Sequence, residues 1–148
     1  MWSDEDCAHW RRHIADLYGL QADITGLDGE FDLNAAVFVD GSFHAVLKVM
    51  RPDCTADFIE MQIAALDHLA AQKDHLPIPR CILRGDGAAY GYLLDREGRD
   101  RLVWLVTALP GHQLGTVRPH TPSLMYEIGS ALGALTRSLT GFSHAQLD

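Results

Sequence analysis

The segment VFVDGSFHAVLKV constrains the fold more than any other part of the sequence, because it predicts a β-hairpin. Its central pair, Asp40 and Gly41, separates two runs of alternating, β-rich residues. An Asp-Gly pair between such runs is the strongest short-range hairpin signal. The second run ends before Pro52, so the sequence predicts two antiparallel strands, the later one spanning about residues 43–50.

Three other segments carry apolar residues at helical spacing. Ser3, followed by acids, predicts the start of a first helix at about residues 4–18, and Gly19 supplies its stop. A second helix is predicted over residues 55–72, and a third ends near Gly141. The apolar stripes consist of Cys7, Trp10, Ile14 and Leu17; of Ile59, Ile63, Leu66 and Ala70; and of Leu124, Ile128, Leu132, Leu135 and Leu139.

Further strand-like runs follow the linker LPIPR, at residues 81–83, 89–94 and 102–108, and turn formers separate them. We expect these runs to form a β-meander. Strands joined mostly by hairpins predict an α+β fold with an antiparallel sheet of about five strands, one helix before it, one inserted and one after it. At 148 residues the chain fits a single domain.

Composition and charge exclude several function classes. A formal net charge of -8 argues against nucleic acid and acidic membranes as partners. No apolar run approaches the roughly 18 residues of a membrane span, and the acidic N-terminus is unlike a secretory signal, so we expect a cytoplasmic protein. Cys7, Cys54 and Cys81 lack metal-site or redox spacing, and the eight histidines form no metal motif. We therefore expect reduced thiols and no protein-built metal site.

Lys48 is the first candidate for chemistry, because it shares one face of its strand with Val46 and Met50. A charge on an apolar face needs a partner or an anionic ligand. Glu60 is a candidate partner, since it lies next to the stripe residue Ile59 and could turn toward the sheet. The alternative is that Lys48 extends to water and that Glu60 is an ordinary solvated helix charge.

The order of these pieces resembles the N-terminal lobe of the aminoglycoside phosphotransferase and choline kinase-like family, which has a protein kinase-like fold. The shared marks are Asp32 and Asn34 as a D-x-N before the second strand, then Lys48, Glu60, LPIPR and WLVTALPGHQL. The stretch GDGAAYGYLLDREGRDRLVWLVTALPG looks most like hydroxylysine kinase-like proteins and the phosphotransferase domain fused to class III aminotransferases. The resemblance covers nearly the whole chain and implies a larger parent protein.

The resemblance implies ATP as cofactor. Lys48 would hold the nucleotide phosphates, with Glu60 as its helix partner. The adenine would stack on Val46 and bond to the carbonyl of Thr107 and the N–H of Leu109, where LVTALPG leaves the sheet. The alternative is that LVTALPG is a Pro-Gly turn that simply ends a strand.

The loop LDGEFDLN would lie beside the phosphates and supplies the candidates Gly29, Asp32 and Asn34. It contains one glycine where protein kinases have three. Glu30 and Asp32 disfavour phosphate electrostatically unless they point away, so this loop is a weaker site than Lys48.

The family's catalytic motif, H-x-D-x-x-x-x-N, does not occur in these 148 residues. The resemblance thus implies a single kinase-like N-lobe: a leading helix at residues 1–20, a sheet with its helix at 21–110, and a hinge exit with the first C-lobe helix at 111–148. We expect no catalytic residue in this chain, Mg²⁺ only when a C-lobe is present, and an inactive half of a phosphotransferase for a hydroxyl of an amino sugar, amino alcohol or amino acid. A non-catalytic nucleotide-sensing or interaction domain of a multidomain enzyme is the alternative. The expected partners are nucleotide, the rest of a parent chain, and a second copy through the C-terminal helix.

Overall fold

The computed structural model describes residues 2–72 and 76–147, and it contains a six-stranded antiparallel sheet flanked by helices. The predicted α+β fold is therefore confirmed. The helices are α1 (Asp4–Tyr18), α2 (Ala56–Ala70) and α3 (Pro122–Ser138), and the strands are β1 (Asp23–Leu27), β2 (Leu33–Val39), β3 (Ser42–Val49), β4 (Cys81–Ile82), β5 (Tyr90–Leu94) and β6 (Asp100–Thr107).

The β2–β3 hairpin forms at the predicted turn. Asp40 and Gly41 both adopt positive φ, 50° and 74°, which is the backbone that a two-residue hairpin turn of this hand requires. The register then shifts between Val37 and Phe38, because Val37 pairs with Ala45 while Phe38 pairs with Phe43. His44 is the extra residue of this β-bulge, so the alternation of faces along β3 is reversed before it.

The sheet order is β1-β2-β3-β6-β4, and β5 also pairs with β6. One edge of β6 pairs with β3, while the other edge pairs with β5 along its first half and with β4 near its end. The expected β-meander is wrong in this respect, because β4 pairs with β6 and forms no ladder with β5 in the described part of the chain. The eight residues of β6 are long enough to hold both short strands side by side.

The two faces of the sheet carry separate hydrophobic cores. On one face, Trp10 and Ile14 of α1 pack against residues such as Leu47 and Leu105. On the other face, Ile59 of α2 packs against Trp104 and its neighbours. Lys48 belongs to this second face by strand alternation, since Leu47 and Val49 point into the first core.

A buried ion pair fixes the β5–β6 turn to the end of β3. The side chains of Asp95 and Arg101 are 5% and 6% exposed, and Arg101 Nη1 lies 3.3 Å from Asp95 Oδ2. Arg101 also donates from Nε to the carbonyl oxygen of Met50 at 2.6 Å. Met50 follows β3 directly, so this pair helps to set where the strand that carries Lys48 ends.

α3 lies largely exposed, unlike α1 and α2. Its stripe residue Leu132 is 58% exposed and Tyr126 is 74% exposed. A hydrogen bond from α2 reaches its last turn, because His68 Nε2 lies 2.9 Å from the carbonyl oxygen of Ser138. None of the helices described is long and apolar enough to cross a membrane.

Candidate functional site

The site begins with Lys48 and the strand opposite it. Lys48 pairs with Asn34 of β2 and with Trp104 of β6, so it lies on a central strand. Its Nζ donates to Asn34 Oδ1 at 3.3 Å. No carboxylate lies within 4.0 Å of Nζ among residues 2–72 and 76–147. The half-buried ammonium is therefore held by a neutral amide, and its positive charge is not neutralised by an ion pair.

The D-x-N sequence holds this lysine in place, with Asp32 in the loop between β1 and β2 and Asn34 in β2. Asn34 Nδ2 donates to the carbonyl oxygen of Asp32 at 3.3 Å, which orients the amide oxygen toward Lys48. The carboxylate of Asp32 accepts from the backbone N–H of Arg51 at 2.8 Å. Asp32 thus links the loop to the turn after β3 through this hydrogen bond of its carboxylate.

Gly29 lies in the same loop, and the absence of a side chain there allows the loop to fold closely on itself. A Cβ atom on Gly29 would lie 2.5 Å from the carbonyl oxygen of Asp32 and 2.8 Å from Asn34 Nδ2. Both distances are shorter than van der Waals contact allows. Gly29 therefore permits the close approach that sets Asn34.

A cleft of about 700 Å³ opens beside Lys48. The structure brings together five of the residues singled out from the sequence: Asn34, Val46, Lys48, Thr107 and Leu109 line this cleft. Gly29, Asp32 and Glu60 are not among its lining residues. The other residues that line it are Gly26, Leu27, Asp28, Phe43, Pro79, Val106 and Gln113.

The segment after β6 forms one wall of the cleft. The amide of Thr107 donates to the carbonyl oxygen of Arg80 at 2.8 Å, and the Thr107 hydroxyl accepts from the Arg80 amide at 2.9 Å. The amide of Ala108 donates to His44 at 3.0 Å. No group in the described part of the chain accepts from the Leu109 amide, and Leu109 is one of the residues that line the cleft.

Glu60 does not form the expected ion pair with Lys48. Its Oε1 accepts a hydrogen bond from the Tyr90 hydroxyl at 2.5 Å, so it binds the β5 side of the sheet. Ile59 is fully buried and Glu60 is exposed, because consecutive helix residues point about 100° apart. The hydrogen bond from Tyr90 to Glu60, aided by burial, raises the pKa of the tyrosine to about 12.

Phe43 is a cleft residue that the sequence pattern does not reveal. Simple alternation along β3 places Phe43 with Ala45 and Leu47, which are buried in the α1 core. The bulge at His44 moves Phe43 to the face of Val46 and Lys48 instead. An Asp-Gly turn followed by a bulge is the signal that could have placed it, but the sequence does not mark the bulged residue.

No metal site is formed by the described residues, since none of them make a group of three His, Cys, Asp or Glu side chains that could hold an ion. Burial raises the pKa of the thiols of Cys54 and Cys81. The cysteines are free thiols. The described residues that line the cleft therefore offer one ammonium, the carboxylate of Asp28, neutral hydrogen-bonding groups and apolar walls.

A twisted antiparallel sheet with one inserted helix, a strand lysine and an open cleft at the strand exit defines a protein of the kinase-like fold class. The family comparison agrees, since the model of the phosphotransferase enzyme family matches residues 23–147. The chain belongs to this family.

The similar proteins are small-molecule kinases by name. Hydroxylysine kinase of Bos taurus is 33% identical over 117 residues, which are 76% of this chain and 30% of that protein. A structure of an amicoumacin kinase in complex with AMP-PNP and Ca²⁺ has a TM-score of 0.76 at 16% identity and covers 97% of this chain. A microcompartment-associated aminopropanol kinase has a TM-score of 0.67 at 18% identity and covers 94%.

The chain spans a minor part of the length of these relatives. It corresponds to 30% of the hydroxylysine kinase and to 42% of each of the two solved kinases. The two structural matches have low sequence identity and establish the fold. What the relatives bind or phosphorylate is a property of those proteins.

Proposed function

We propose that this chain is the nucleotide-binding lobe of an ATP-dependent phosphotransferase that acts on a hydroxyl of an amino sugar, an amino alcohol or an amino acid. The cleft beside Lys48 is the observation that supports the proposal, because it places a cation, an apolar wall and a backbone donor around one space. The names of the relatives, which include kinases of hydroxylysine and aminopropanol, support the acceptor class.

The cleft residues can be assigned to the parts of an adenine nucleotide, from the base to the phosphates. Val46 and Val106 provide apolar surfaces on which a base can stack. The Leu109 amide and the Thr107 carbonyl would bind the edge of the adenine, while Pro110 has no N–H and cannot substitute as a donor. Lys48, held by Asn34, would contact the phosphates. ATP supplies the transferable phosphoryl group when it is bound.

The loop residues act on the lysine rather than on the ligand. Asp32 anchors the loop to Arg51, Gly29 lets it close, and Asn34 holds the ammonium. These contacts fix the direction in which Lys48 enters the cleft. Orientation matters here because phosphoryl transfer depends mostly on positioning and electrostatic stabilisation.

This chain alone is expected to bind ATP weakly and to transfer no phosphate. General acid–base catalysis typically raises a reaction rate about 10²–10⁴-fold. The family's catalytic motif, which would supply it, is absent from these residues. The described residues also hold no cluster for a metal ion. Calorimetry with Mg-ATP on the wild-type chain and on Lys48→Met tests the proposal. Weak binding that the substitution abolishes supports it, whereas tight binding, whether or not it depends on Lys48, or turnover by the 148 residues, contradicts it.

A non-catalytic nucleotide-sensing or interaction domain of a multidomain enzyme, such as an aminotransferase fusion, is the second candidate. The engagement of Glu60 by Tyr90 favours it, because Lys48 then has no carboxylate partner within ion-pair distance among the described residues. The discriminating observation is the sequence encoded after Asp148. An H-x-D-x-x-x-x-N motif there supports the phosphotransferase, and its absence supports the sensing domain.

α3 supports a further proposal about partners. Its exposed apolar residues, Met125 at 48% and Leu132 at 58%, would be covered by a further lobe of a phosphotransferase or by a second copy of this chain. We propose that the isolated chain self-associates through α3. Light scattering should show a dimer that Leu132→Glu converts to monomer, while Leu83→Glu, an exposed control away from α3, leaves it intact. A monomer at high concentration would contradict the proposal.

A further inference from the structure

A second, smaller cavity lies behind Lys48, between α2 and the sheet. Its volume is about 300 Å³, and Lys48, Pro79 and Val106 line both this cavity and the cleft. Lys48 therefore stands at the boundary between the two spaces. Gln62 is the residue through which α2 contributes a polar side chain to the cavity.

Gln62 has an unusual place on α2. It lies three residues after Ile59 and four before Leu66, so it belongs to the helix stripe that faces the sheet. Its side-chain nitrogen, Nε2, is buried without a hydrogen-bond partner. A buried amide donor without an acceptor is unfavourable and needs an explanation.

Rotating the terminal amide by 180° exchanges its nitrogen and oxygen, so that an acceptor takes the buried position of the unpartnered donor. The two atoms have nearly the same shape, and their assignment follows from the surrounding hydrogen bonds. In the rotated arrangement the buried atom is a carbonyl oxygen, on a residue that lines the same cavity as Lys48. An ammonium has three donors, and Lys48 gives one of them to Asn34.

We propose that Gln62 is the α2 partner of Lys48, accepting a hydrogen bond from the ammonium through Oε1. The proposal deepens the nucleotide-binding role proposed above and rests on it for its functional consequence. Glu60, the acid nearby on the same helix, is engaged by Tyr90. Lys48 would thus be oriented by two neutral amides, those of Asn34 and Gln62.

Neutral partners have a consequence for the ligand. A carboxylate would offset the positive charge of Lys48, whereas amides orient the ammonium and leave its charge available to phosphate oxygens. Gln62 is therefore a positioning residue that acts through Lys48. Its effect should depend on the phosphates of the ligand and not on the nucleoside.

NMR of the lysine side chains tests the contact without any nucleotide. Lys48 and Lys73 are the two lysines of the sequence, so ¹³C-labelled lysine gives two ε-methylene signals that Lys73→Arg assigns. Gln62→Met should shift the Lys48 signal, and Gln62→Glu, which keeps an acceptor, should retain a partnered lysine. Gln72→Met, the same change at a glutamine that contacts His68, should leave the Lys48 signal unchanged. An unmoved Lys48 signal in Gln62→Met overturns the proposal.

Ligand titrations test the functional part. Gln62→Met should weaken AMP-PNP binding about tenfold, as expected for losing one hydrogen bond to a charged group, and leave adenosine affinity unchanged. In a Lys48→Met background the same change should have no further effect on AMP-PNP. Equal weakening of adenosine would show a merely structural role and overturn the proposal. If wild-type chain binds no AMP-PNP, the nucleotide-binding proposal fails, while the lysine signals still decide the contact.

Discussion

Removing the carboxylate of Asp95 should destabilise the fold more than removing any exposed ion pair. Asp95→Ala leaves the guanidinium of Arg101, 6% exposed, without its acidic partner. It also removes the acceptor for the backbone amides of Glu97 and Arg99, at 3.1 and 2.9 Å. Breaking a buried pair from one side costs about 3–5 kcal/mol. For a chain of this size about 1 kcal/mol shifts the melting midpoint by about 2–4 °C, so the midpoint should fall by about 6–20 °C.

Circular dichroism melts at pH 7 measure this change, with two comparisons. Arg96→Ala removes the exposed contacts of Arg96 with Glu5 and Asp6 near the same turn, and its melt should lie much closer to the wild type. Replacing both Asp95 and Arg101 by leucine should recover part of the loss, since no buried charge is then left alone. An Asp95→Ala melt indistinguishable from wild type would refute the reasoning.

The pH dependence of stability follows from the same residue. Burial alone would raise the pKa of Asp95, but hydrogen bonds from the Arg99 backbone and guanidinium, together with the charges of Arg99 and Arg101, hold that pKa below its usual 3.8. A carboxyl with a lowered pKa in the folded state stabilises the fold above its unfolded pKa. This contribution should be lost as the pH falls below about 4, and Asp95→Ala should remove that part of the acid dependence.

Two further predictions concern the loop and the helix beside the cleft. Gly29→Ala should destabilise the fold by about 1–3 kcal/mol in denaturant titrations, because its Cβ would meet the Asp32 carbonyl oxygen. The control Gly129→Ala lies at an open helical position of α3 and should stabilise the fold or leave its stability unchanged. Equal effects of the two substitutions on stability would contradict the close approach at Gly29. Glu60→Gln should lower the pKa of Tyr90 from about 12 toward 10, measured by phenolate absorbance with Tyr90→Phe as reference. A tyrosine pKa that is raised in the folded state stabilises the fold at pH values below the unfolded-state pKa, so this contribution should disappear between about pH 10 and 12. A Tyr90 titration that is unchanged in Glu60→Gln would contradict the Glu60–Tyr90 hydrogen bond.

Local sequence signals predicted the elements whose ends depend on a single residue. The first helix ends at Gly19, which has φ 66° and takes the left-handed conformation that terminates helices. The Asp40-Gly41 turn set the β2–β3 hairpin, and with it the strand that carries Lys48. These features depend on backbone conformations that few residue types adopt, so they can be recognised without tertiary information.

Features that depend on distant contacts were not predictable in the same way. The pairing of β4 with β6 joins segments more than 20 residues apart in sequence, and the bulge at His44, although local, is not marked by any residue type in the hairpin. Glu60, next to the stripe residue Ile59, is the helix partner that the sequence and the family resemblance predict, whereas Gln62 is the polar residue of α2 that lines the cavity beside Lys48. Gln62 lies in register with Ile59 and Leu66, and this polar position in an apolar stripe is the sequence feature on which its proposed contact with Lys48 rests.

In the proposed function, an adenine nucleotide occupies the cleft between β3 and the segment after β6. Titrating ¹⁵N-labelled chain with AMP-PNP, followed by amide shifts, tests it most directly and detects weak binding. We expect saturable shifts at Val46, Thr107 and Leu109 that are smaller in Lys48→Met, and unchanged signals for α1 residues such as Ile14. No saturable shift, or shifts centred on α1 and its face of the sheet, would contradict it.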